Sequence, residues 1–190
     1  MREVKLGLKT AFFKNAHNTT TSYFFILITL AIYQNHSQKS HVSYGDLKPY
    51  VFFKKTTFNR NVKAFVEDGY LIECKSYNSS LNRYKRYYFS KNFKESSDYF
   101  CLNREFVRAL IELVNKKKLT KTQFRVFLFL KYKEFNNVDV NSLTQSKIAI
   151  SLGLTRNSIN IAIKNINLNV IDFLESNFST EFFYIKCFIS

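Results

Sequence analysis

Hydrophobic positions along this chain recur mainly at helical spacing. Residues 22–34 are apolar nearly all round, which predicts a fully buried helix. Ser43 to Val51 reads as a short helix with a serine start. Lys55 to Asp68 reads as a longer one, capped by Thr56 or Thr57. On it Phe58, Val62, Phe65 and Val66 fall at i, i+4, i+7 and i+8 and form one core stripe. Gly69 ends that helix in the C′ position. Tyr70 to Lys75 and Tyr84 to Ser90 read as strands joined by the polar loop SYNSSLNR.

The layout then returns. Asn103 to Lys117 is an amphipathic helix with Phe106, Leu110, Leu113 and Val114 on one side and a basic tail, Lys116 to Lys118. Thr120 to Glu134 is a second helix opened by a threonine cap, and Asn136 to Ser142 is a polar loop. Thr144 to Leu152 and Thr155 to Leu168 are two helices separated by Gly153 and Leu154. Val170 to Leu174, a turn over Glu175 to Thr180, and a terminal strand Glu181 to Ile189 finish the second copy. Two units follow: residues 1–100, with an N-terminal helical arm, and residues 101–190, with the basic linker helix 103–118.

Residues 144–166, TQSKIAISLGLTRNSINIAIKNI, carry the most specific pattern and resemble a bacterial helix-turn-helix. Ala149 is small where the helices cross, and Gly153 takes a left-handed turn that a Cβ does not tolerate easily. Leu152 and Leu154 plug the core, Thr155 caps the second helix, and Ile159, Ile163 and Ile166 hold it down. The resemblance places Arg156, Asn157, Asn160 and Lys164 toward a major groove, where Arg reads guanine and Asn reads adenine. Thr144 and Gln145 become candidates for phosphate contact.

The first copy, over residues 43–90, resembles the winged-helix domain of MarR-type regulators, including the staphylococcal SarA group. The likeness rests on VSYGDLKPYVFFKKTTFNRNVKAFVEDGYLIE and the basic hairpin ending RYKRYYFS. Thr56, Thr57, Asn59, Arg60 and Lys63 match the family's recognition positions, and Arg83, Lys85 and Arg86 match its wing. Its inter-helix turn, KPYVFFKKTT, is longer than the family's, and the family's acidic wing stretch is missing. The implied fold class is α+β and mostly helical, a tandem winged helix-turn-helix.

Charge supports a polyanionic partner. Lys and Arg number 29 against 14 Asp and Glu, a net charge of +15 on 190 residues. Part of the lysine excess follows from AT-rich codon usage, which also inflates Phe (21) and Tyr (12); the shortage of acids does not. Residues 168–190 set Lys186 against Asp172, Glu175 and Glu181, so phosphates would repel a second wing there. The first hairpin is therefore expected on DNA, and the apolar strand FFYIKCFI is expected to pack on Thr120 to Glu134 or, second in preference, to pair in a homodimer.

The longest apolar run, Tyr23 to Tyr33, is too short to span a bilayer, which needs roughly 20 residues. No small-residue cleavage site follows it, so neither a membrane partner nor a secretory leader is expected. The protein is expected to be cytoplasmic, with its three cysteines reduced. His17, His36 and His41 have no metal-ligand spacing, Cys74 and Cys101 read as core thiols, and no nucleotide, nucleophile-elbow or CxxC motif occurs. No enzyme activity, metal or cofactor is expected. RYKRYYF is compatible with stacking on single-stranded bases.

The leading expectation is a sequence-specific double-stranded DNA-binding protein acting as a transcriptional regulator. The alternative is a plasmid or phage replication initiator that binds origin repeats and recruits host replication proteins, because the TQSKIAISLGLTRNS half also resembles Rep-type initiators. A third class is a protein-binding adaptor, for which the charge would be spread evenly.

Overall fold

A computed structural model of the chain describes residues 5–9, 13, 16–33, 44–48, 53–75, 85–89, 99–139 and 142–189. At the centre lies helix α1 (Thr21–Tyr33), whose residues Tyr23 to Leu30 are all buried. It carries no charged side chain, so every face can meet apolar neighbours. The Thr29 hydroxyl, fully buried, donates to the Phe25 carbonyl at 2.7 Å and is not left unpaired.

A short helix α2 (Tyr44–Leu47) precedes helix α3 (Lys55–Glu67), which packs on α1. Phe58, Val62 and Phe65 are buried as their spacing requires. Neither Thr56 nor Thr57 caps α3: both lie inside its first turn, and the cap residue, Lys54, has no side-chain acceptor for the first N–H groups. Gly69 closes the helix at φ +72°, with its N–H on the Val66 carbonyl and the Tyr70 N–H on the Phe65 carbonyl. Strands β2 (Leu71–Lys75) and β3 (Lys85–Phe89) form the expected antiparallel hairpin, with Leu71 opposite Phe89 and Lys75 opposite Lys85.

A second strand pair was not foreseen. Strand β1 (Lys5–Lys9) runs antiparallel to β4 (Tyr99–Asn103), pairing Lys5 with Asn103 and Lys9 with Tyr99. The arm expected to be helical therefore contains a strand; among its described residues Phe13 is helical and Ala16–Asn18 form a 3-10 turn.

Helix α4 (Arg104–Asn115) and helix α5 (Lys121–Phe135) also pack on α1. Asn103 caps α4 by accepting from the Glu105 and Phe106 N–H groups. Thr120 and Gln123 form a reciprocal capping box on α5. Helices α6 (Gln145–Leu152) and α7 (Arg156–Lys164) follow, each with a threonine cap. One hydrophobic cluster runs from Phe13 through α1, α3, α4 and α5 to Leu174, so α1 serves both halves.

The expected strand Glu181 to Ile189 is instead helical. Helix α8 spans Leu168–Ile189 and kinks at Phe178, within the expected turn. Val170 and Leu174 are fully buried, and Phe178, at the next i+4 position, meets Phe106 edge-on at 5.6 Å between ring centroids. Helical spacing thus decided this segment. For the apolar run beyond it, periodicity alone does not separate strand from helix. The second half has no second wing among the described residues.

Candidate nucleic-acid interface

The α6–α7 pair is built around Gly153. This residue sits at φ +60°, with its N–H on the Ile150 carbonyl and the Leu154 N–H on the Ala149 carbonyl. A Cβ placed on Gly153 would lie 2.2 Å from the His17 carbonyl oxygen. The position therefore requires glycine twice, for the left-handed backbone and for the approach of the 3-10 turn. Ala149, Leu152, Ile159 and Ala162 are buried, whereas Ile163 and Ile166 are half-buried against the core. Thr155 accepts from the Ser158 N–H at 3.1 Å and starts α7 cleanly.

Two side chains of α5 that sequence reasoning missed hold this unit in place. Gln123 completes the capping box and also donates from Nε2 to the Ala162 carbonyl at 2.8 Å, fixing α7 on α5. Arg125 is 1% exposed. It donates to the Leu152 carbonyl at the end of α6 at 2.8 Å, to the Ala16 carbonyl, and to the Thr19 hydroxyl at 3.3 Å. Its guanidinium lies over the Phe24 ring, and burial pushes its pKa down to about 10. Among the described residues no acid pairs with it; helix-end carbonyls carry the charge. A cation inside the run FRVFLFL was the available signal.

Five of the predicted residues come together. Thr144, Gln145, Arg156, Asn157 and Asn160, with Ser146, line one open concavity of about 530 Å³ between the first turns of α6 and α7. Lys164 is exposed on the last turn of α7, about one turn beyond Asn160 and two beyond Asn157. Residues 140–171 contain no Asp or Glu, and Lys147, Arg156 and Lys164 enter no ion pair among the described residues. Such a surface offers unpaired cations and amide side chains to an acceptor-rich polyanion.

The first half contributes differently. Thr56, Asn59, Arg60 and Lys63 are exposed on α3 and Thr57 is half-buried. Lys63 faces Glu67 at 3.7 Å. The Thr57 carbonyl accepts from the Asn61 side chain at 2.7 Å. Tyr23 on α1 donates its hydroxyl to Asp68, at the end of α3. Burial and that carboxylate raise the Tyr23 pKa far above the usual phenol value. Lys85 and Arg86 lie on β3, opposite Lys75 and Cys74; Arg83 lies outside the described residues.

No family model matches the chain, and neither a curated protein nor a solved structure matches it. Among the described residues, no helix is long and apolar enough to cross a membrane.

Proposed function

We propose that this protein binds double-stranded DNA in a sequence-specific manner and acts as a transcriptional regulator, with α7 entering the major groove. The observation that carries this reading is the acid-free outward face of α7. Arg156, Asn157 and Asn160 share a concavity with Thr144 and Gln145. Arg and Asn supply the donors that guanine and adenine edges accept, while Thr144 and Gln145 meet phosphate. The exposed residues of α3 would form a second reading surface, and Lys85 and Arg86 on β3 would add phosphate contacts. With a helix in place of a second wing, the second half contacts DNA through α6 and α7 alone.

Selection of bound fragments from random duplex DNA, with affinity followed against salt, tests this reading. A defined site held at least about 10³ tighter than random DNA supports it. A single site near a promoter marks a regulator, and an array of direct repeats marks an initiator. Binding with no enriched sequence that vanishes by about 200 mM salt reduces the interaction to charge attraction and removes the reading.

A further inference from the structure

Helix α7 turns five side chains outward. At 3.6 residues per turn, Arg156, Asn160, Lys164, Asn157 and Ile161 follow one another around an arc of about 140°, opposite Ile159 and Ala162. Four of them are polar or charged. Ile161 is not, yet it stands 50% exposed. Ile159, Ala162, Ile163 and Ile166 already attach the helix to the core, so Ile161 has no packing role there. It follows Asn157 by four residues, which makes the two side chains neighbours on the helix surface.

In a major groove the thymine C5-methyl is the apolar group on display, and it belongs to the same base pair whose adenine accepts an Asn side chain. The geometry points to Ile161 as a specificity residue that reads a thymine methyl beside the base contacted by Asn157. Four residues rise about 6 Å along the helix axis, so this thymine lies within about two base pairs of that base. The inference rests on the DNA-reading function proposed above. It adds that part of the α7 half-site is an A·T step recognised by its methyl group as well as by hydrogen bonds.

The test uses the full chain and the duplex recovered by selection. Each thymine is replaced in turn by deoxyuridine, which removes one methyl and no hydrogen-bonding group. Fluorescence anisotropy then gives affinities for the native chain and for Ile161→Ala. The expected result is one position at which deoxyuridine weakens the native chain about fourfold, the worth of roughly one buried methyl. Ile161→Ala loses a similar factor on the thymine duplex and ignores the replacement, while Ile161→Val keeps its sensitivity. Matching circular dichroism melts for the native and Ala chains show that the loss is not unfolding. If the site is bound and every deoxyuridine duplex affects both chains equally, Ile161 reads no methyl, although the DNA-reading function stands. If selection enriches no sequence, both fall.

Discussion

Helix α7 begins on a threonine whose hydroxyl accepts from the Ser158 N–H, whereas α3 begins on Lys54, which offers no side-chain cap. Both units use a glycine at positive φ, but with different surroundings. Gly69 has no atom within 4 Å of where a Cβ would point, while Gly153 presses on the His17 carbonyl. The cations differ as well: Lys63 on α3 pairs with Glu67, and Arg156 and Lys164 on α7 pair with no acid among the described residues. Repetition of a sequence pattern therefore does not imply equal construction. The second unit is clamped from beneath by Arg125 and Gln123, and the first is tied to the core by Tyr23 and Asp68 at its edge.

The largest effect should separate the two glycines. Gly153→Ala combines a left-handed backbone with a clash against rigid main chain and should cost roughly 3 kcal/mol. Gly69→Ala has only the backbone cost, about 1–2 kcal/mol. Urea denaturation of both variants measures the gap, and equal costs would break the comparison.

The two ties come next. Arg125→Met takes its donor from the buried Leu152 carbonyl and one of three from the Ala16 carbonyl, which keeps the Thr19 N–H and hydroxyl, and should destabilise by about 2–3 kcal/mol. Tyr23→Phe removes one bond to the exposed Asp68 and should cost about 1–2 kcal/mol in the same assay. A larger loss from Tyr23→Phe would reverse the ranking of the two attachments.

Function sharpens the contrast further. Arg156→Ala should weaken specific binding by roughly 1–3 kcal/mol and relax the preference at one base pair. Lys85→Ala should weaken all sequences alike and lower the salt slope by about one unit. Titrations of specific and random duplexes across salt decide this; identical behaviour of the two variants would remove the assignment of base and phosphate roles.

The smallest difference lies at the helix starts. Thr155→Ala should cost about 1 kcal/mol through loss of the cap, whereas Thr56→Ala, inside the first turn of α3 and no cap, should be neutral or stabilise by a few tenths. Thermal melts followed by circular dichroism would show the ordering.

Elements whose signals are local were legible in the chain. The buried α1, the stripe of Phe58, Val62 and Phe65, the Gly69 and Gly153 turns, and the caps at Thr120, Thr144 and Thr155 each follow from a few consecutive residues. The grouping of Thr144, Gln145, Arg156, Asn157 and Asn160 was also legible, because a two-helix unit with a glycine turn places its own first turns side by side. The exposed Ile161 was passed over because an isoleucine in a helix ordinarily reads as core.

By itself, then, the sequence determined helices α1 and α3 to α7, the glycine turns, the first-half hairpin and the polar outward residues of α7. Tertiary structure decided what depends on distant partners. Strand β1 exists through β4, far along the chain, where Leu6 pairs with Leu102 and Leu8 with Phe100. The Gly153 turn is locked by a carbonyl from the N-terminal segment, and Arg125 is held by helix ends from two other parts of the chain. The end of the chain is a kinked helix because Val170, Leu174 and Phe178 find core to face. Pairing energy and burial arise only when remote segments meet, and an apolar run carries no mark of which neighbour will cover it.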